Sequence, residues 1–211
     1  MSVNGEEKAM VPTKQEKDLG VVVTSDLKAT SHCQAAAKKA NKALRLLKMT
    51  FSHLTVENFK PLYCTYVRPH LDYCLQAVGP HMTKDLQILE QTQRRATKLV
   101  RGLRHLSYEE RLLELNLLSI KDRMLRGDLI EVYKIITGKV NVDVNQFFEM
   151  QEGSVTRGHH LKLKRRRAIH HFRNMVFSNR VVDPWNNLPE HVVAAPSVNV
   201  FKKRLDQHWA T

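Results

Sequence analysis

The sequence predicts a mostly α-helical chain, a helical bundle followed by a smaller basic α+β region with a β-hairpin arm. Three observations predict it. Apolar residues recur at helical spacing through much of residues 34–136. Capping residues and glycines punctuate those runs, which gives five helices joined by short loops, as in a bundle. From Gly153 to Val182 there is no acidic residue, while lysine and arginine crowd positions 162–167. The expected organisation is a flexible leader at 1–17, a helical region at 18–138, a linker at 139–156 and a basic C-terminal region at 157–211.

Leu19-Gly-Val-Val-Val23 is β-branched and reads as one strand. Ser31 is placed to cap a helix from Gln34 to Phe51, with Ala36, Ala40, Ala43, Leu47 and Phe51 near helical spacing. Lys38, Lys39, Lys42, Arg45 and Lys48 supply its polar sides, read as a solvated face or as phosphate contacts. Asn58 is placed to cap the next helix, which puts Pro61 in its first turn, and Pro69 should kink or end it. A third helix is expected from Lys84 to Arg101, with Gly102 just past its end. Ser107 and Glu110 form a capping box opening a short helix to Leu115. Ser119 opens a longer one that Gly138 closes. Phe147 and Phe148 should anchor part of the linker. His159 to Arg167 alternates loosely, as a basic strand or hairpin arm does. Phe177, Val181, Trp185 and Leu188 are spaced as on a helix, with Pro184 inside the run. Ser197 caps a final helix with Phe201, Leu205 and Trp209 on one face.

At 211 residues the chain makes one domain or two small ones, and 42% apolar residues suffice for a core. The formal net charge of +13 favours a polyanionic partner, nucleic acid ahead of an anionic membrane. Three cysteines without paired spacing argue for reduced thiols, in the nucleus or cytoplasm. No apolar run approaches the roughly 18–20 residues that span a bilayer, and the N-terminus lacks a signal-peptide core.

The strongest chemical signal is Lys162-Leu-Lys-Arg-Arg-Arg167, flanked by Arg157, Arg173 and four histidines. Lys162, Lys164, Arg165, Arg166 and Arg167 repel one another unless anions neutralise them, so nucleic-acid contact is expected, alongside the composition of a nuclear import signal. Aromatic residues are sparse there, so backbone rather than base recognition is expected. Arg94, Lys98 and Arg101 stand at i, i+4 and i+7, with Arg95 to the side, a second candidate phosphate-binding face. Cys64, His70, Cys74 and His81 lack a paired-cysteine knuckle, so packed side chains are preferred to a metal site. No nucleophile elbow, phosphate-binding loop or dinucleotide fingerprint occurs, and no catalytic set, cofactor or small-molecule substrate is expected.

Longer words carry a resemblance: Tyr66-Val-Arg-Pro-His-Leu-Asp-Tyr73, Leu89-Glu-Gln-Thr-Gln-Arg-Arg-Ala-Thr-Lys-Leu-Val100, Leu106-Ser-Tyr-Glu-Glu-Arg-Leu112, Arg126-Gly-Asp-Leu-Ile-Glu131 and Trp185-Asn-Asn-Leu-Pro189. In this order they resemble the region after the polymerase palm in LINE-type (non-LTR) retrotransposon reverse transcriptases, over about residues 16–209. The resemblance implies a thumb-like helical region that grips nucleic acid, then a C-terminal extension beyond about residue 140. The family's activity is RNA-templated DNA synthesis with magnesium, but its palm and paired aspartates have no counterpart here, so no catalytic residue carries over. Two departures stand out. Gln76-Ala-Val-Gly-Pro80 replaces a usual Gln-x-Trp-x-Pro, and Pro184 interrupts a segment the family keeps helical. An initiating Met1 and a non-matching leader fit a frame begun inside a decayed or co-opted element.

The expected function is therefore that of a non-enzymatic remnant binding RNA or DNA through backbone phosphates. The alternatives are a helical protein-interaction module, with a partner such as an intact reverse transcriptase, and a fragment that folds poorly.

Overall fold

The computed structural model describes residues 12–80, 82–151, 158–167 and 171–209, together with the backbone of Ser2–Val3 and Glu6–Glu7. The chain is mostly α with small antiparallel hairpins. It divides into two compact units, Met1–Cys74 with Pro80–His105, and Leu75–Gly79 with Leu106–Thr211. The division falls near 105 rather than 138, because the long helix after Ser119 gives its apolar face to the C-terminal core.

In the first unit β1 (Ser2–Val3) pairs with β2 (Glu6–Glu7), and β3 (Gln15–Asp18) with β4 (Val21–Thr24), both antiparallel. The expected single strand at 19–23 is thus a hairpin that begins inside the expected leader. Leu19 (φ 44°) and Gly20 (φ 84°) form its turn, since a tight hairpin needs positive φ at both central residues. Buried His32 pins this hairpin: Nδ1 accepts from the Val22 N–H at 3.3 Å, and Nε2 donates to the Tyr73 carbonyl at 3.2 Å.

His32 lies on α1 (Thr30–Thr50), which starts before the expected Gln34. Ser31 is in its first turn and does not cap it; Ala29 occupies the cap position without a side-chain bond. The α2 helix (Val56–Leu62) is capped by Thr55, not Asn58; Asn58 is the reciprocal partner three residues on. Pro61 therefore sits inside the helix. A π turn, Tyr63–Val67, leads into α3 (Arg68–Asp72), so helical backbone continues past Pro69. The wider π turn precedes Pro69, where a proline ring otherwise collides with the carbonyl four residues back. After α4 (Leu75–Val78), which belongs to the second unit, α5 (Thr83–Thr97) packs alongside α1. Small buried Cys33, Ala36, Ala37 and Ala40 let these two helices approach closely. The Tyr63 hydroxyl donates to buried Gln93 at 2.6 Å.

In the second unit α6 (Tyr108–Glu114) carries the expected capping box, Ser107 with Glu110. The α7 helix (Ile120–Ile136) is capped by Ser119, and Gly138 follows it at φ 65°. The short α8 (Val144–Phe147) and buried Phe148 tie the expected linker into the core. After α9 (His171–Asn174), the helix expected over 177–188 is two, α10 (Phe177–Arg180) and α11 (Val182–Asn186), which places Pro184 in a first turn. The α12 helix (Glu190–Val193) leads to α13 (Val198–Trp209), where Ser197 Oγ accepts from the Val200 N–H at 3.3 Å. Tyr133 stacks on Phe201 at 4.4 Å between ring centroids, beside buried Trp185. Trp209 stands largely outside that core.

Candidate nucleic-acid interface

In the first unit α1 and α5 run in the same direction. Cys33 feels the Asp85 charge near both helix starts, and Asn41 meets Thr92 and Arg95 further along. Arg94, Arg95 and Lys98 are exposed near the C-terminal end of α5. Arg101 does not share their helix face, because the helix stops at Thr97 and the Arg101 N–H bonds the Leu54 carbonyl at 2.8 Å. Chain pairing between Leu54 and Val100 takes over there.

The neighbouring side of α1 brings its own cations. Arg95 donates to the Asn41 side chain at 3.3 Å, and exposed Lys38 and Arg45 stand one turn before and after Asn41. The sequence alone leaves these α1 residues undecided. The signal that singles them out is that no acidic residue occurs from Leu27 to Val56. A merely solvated helix face usually interleaves both signs. Lysine and arginine near helix C-termini also complement the helix dipole, so part of this surface is locally stabilising.

In the second unit the basic run is extended. Leu163 is buried and bracketed by Asn186, whose side chain accepts from the Leu163 N–H at 2.9 Å and donates to its carbonyl at 2.8 Å. The expected hairpin arm is a single antiparallel bridge, Met150 opposite Leu163, with Gln151 and Lys164 N–H groups bonding across it. The outward cations are partly neutralised from within. Lys164 pairs with Glu149 at 2.5 Å, Arg165 with Asp183, and Arg166 reaches the Asn145 carbonyl at 3.4 Å. Lys164 holds the Glu149 carboxyl below the usual range. These pairs are exposed, and such pairs are weak enough to exchange for a phosphate. Lys162 is half-buried, while Arg167 and Arg173 are exposed; Arg157 lies outside the described residues.

Cys33 is buried, Cys64 and Cys74 are half-buried, and all three are free. Among the described residues no cluster of three His, Cys, Asp or Glu side chains is placed to hold a metal ion; His81 lies outside them. No helix among the described residues is long and apolar enough to cross a membrane. No known protein family, curated protein or solved structure matches the chain.

Proposed function

We propose that this chain is a non-catalytic, reverse-transcriptase-like remnant of the LINE type that binds RNA or DNA through backbone phosphates. The observation that carries the reading is the parallel pair α1 and α5. It brings Arg95 onto Asn41, with exposed Lys38 and Arg45 one turn before and after Asn41, and the α1 member of the pair has no carboxylate; exposed Arg94 and Lys98 stand at the same end of α5. Cations gathered this way lower their mutual repulsion by taking up a polyanion. The 162–167 run is the secondary contact, since a phosphate there must displace Glu149 or Asp183. Its composition also suits a nuclear import signal, which favours a nuclear site of action.

The test is binding of the full-length protein to a labelled RNA hairpin, single-stranded DNA and duplex DNA across roughly 50–300 mM salt. Two variants accompany it, one with Lys38, Arg45, Arg94, Arg95 and Lys98 changed to Gln, the other with Lys164, Arg165, Arg166 and Arg167 changed to Gln. The expected result is a steep salt dependence in the wild type. Its log–log slope should flatten by about 0.7–0.9 for each phosphate that a variant no longer engages, more in the first variant than in the second. Absent binding, or equal slopes in all three proteins, removes the reading.

A further inference from the structure

A different side of α1 borders a groove in the same unit. Lys39, Ala43, Leu46 and Thr50 stand at i, i+4, i+7 and i+11, a single stripe. Two hollows of about 430 and 420 Å³ open along it and share His70. The first is bordered by Lys17 and Lys39, the second by Phe51 and Tyr66. Among the described residues no carboxylate lines either. The hollow beside the 162–167 run differs, because Glu149 and Asp183 line it.

The aromatic side chains here are not used up by the core. Tyr66 is 55% exposed, whereas Tyr63 and Val67 of the same π turn are fully buried. Phe51 is 36% exposed at the C-terminal cap of α1, and Leu46 is 58% exposed. Single π turns within helices are frequently found at functional sites. Each hollow falls in the size range of small-ligand clefts. Lysines at one end and open aromatic faces at the other select a ligand that is both anionic and flat. Within a duplex the bases already stack on one another, so only an unpaired strand can offer its rings to Tyr66 and its phosphates to lysine.

We propose that this groove binds single-stranded nucleic acid, with Tyr66 and Phe51 stacking on unpaired bases and Lys17 and Lys39 meeting the phosphates. The inference rests on the nucleic-acid reading above and adds to it a preference for unpaired strands, located on a different side of α1 from Lys38 and Arg45.

The experiment compares the full-length protein with Tyr66→Ala, Tyr66→Phe and Lys39→Gln variants. The probes are a labelled oligothymidylate and a duplex of the same length, and circular dichroism monitors folding. Tyr66→Ala should weaken oligothymidylate binding about 5- to 150-fold, the range expected for removing one stacked base, and leave duplex binding unchanged. Tyr66→Phe should stay within about twofold of wild type, because the ring is kept. Lys39→Gln should flatten the single-strand salt slope by about 0.7. If Tyr66→Ala proves unfolded, the Tyr66→Phe and Lys39→Gln results decide. Wild-type affinity in Tyr66→Ala, equal weakening on both probes, or an unchanged slope in Lys39→Gln overturns the groove assignment alone. Absence of binding to either probe by the wild type overturns this inference and the broader reading together.

Discussion

Arg180 clasps Asp128 through two parallel bonds, Nε to Oδ2 at 2.8 Å and Nη2 to Oδ1 at 2.9 Å. The same guanidinium donates to the carbonyls of Met175 at 3.1 Å and Gln76 at 3.0 Å. One side chain thereby ties α4, α7 and α10 together inside the second unit. Asp128 is 2% exposed, and burial pushes its carboxyl up from the usual range while Arg180 pulls it back. Removing one partner of such a pair strands a buried charge.

Arg180→Met should therefore cost about 3–5 kcal/mol at neutral pH. The cost should shrink as pH falls. Without the guanidinium, burial alone acts on Asp128, so its folded-state pKa rises further above the unfolded value. The native state then holds a proton that the unfolded chain has released, and acid restores stability. Urea melts of wild type and variant at pH 7 and pH 5 measure this, and a gap that widens at the lower pH would contradict it.

Gly127 is a position where a side chain must displace the end of a neighbour. A Cβ there would lie 2.2 Å from Gln76 Nε2. Gly127→Ala should cost less than about 1 kcal/mol, because Gln76 can swing its amide aside and alanine favours the α7 interior over glycine by about 1 kcal/mol. Truncating the neighbour makes space, so Gly127→Ala in a Gln76→Ala background should cost clearly less. Additive penalties in the double-mutant cycle would mean that the contact does not decide the glycine.

These two positions show what is legible in a sequence and what is not. Arg126-Gly-Asp and Gln76 are noticeable as words, yet nothing local in either says that they meet. Their partner Arg180 lies 52 residues beyond Asp128, and such pairing is set by packing. Local signals do well wherever the cause is local. Ser107 with Glu110, Ser119 and Ser197 each cap the helix they announce. They fail where two capping residues compete, as Thr55 does with Asn58, and where Pro61 and Pro69 are absorbed beside a π turn. The basic run is legible as charge, but its internal partners Glu149 and Asp183 flank it at a distance in sequence. The side of α1 that joins Arg95 emerges only from the fold, where Asn41 and Arg95 touch.

The three thiols should react unequally. Cys33 is fully buried, and burial, with the Asp85 charge as a lesser cause, pushes its pKa up to about 12. Thiolate is the reactive form, so Cys33 should resist a disulfide reagent in the native state and react only on unfolding. Half-buried Cys64 and Cys74 should react first. Two early equivalents and one released by denaturant are expected; three early equivalents would show that α1 opens readily at its start.

His159 should make the second unit sensitive to mild acid. Its Nε2 lies 2.9 Å from the Trp185 carbonyl, which can only accept, so the neutral ring carries its hydrogen on Nε2. Nδ1 is buried with no hydrogen-bond partner among the described residues, and protonation would place a charge and an unmatched donor there. Burial lowers the pKa, aided by nearby Lys162 and His160, while the Trp185 carbonyl and Glu190 oppose the shift. With the folded value below the unfolded one, the unfolded chain takes up its proton first as pH falls through about 6.5. Stability is therefore full above that pH and declines below it, by at most about 1.4 kcal/mol per pH unit for this one proton. The chain has eleven histidines, so the informative quantity is the difference between wild type and His159→Gln, whose amide can still donate to Trp185. Denaturant melts from pH 7.5 to pH 5.5 should show the wild type losing ground to the variant as pH drops. A constant difference across that window would mean that His159 titrates alike in both states and that its buried Nδ1 takes a proton without penalty.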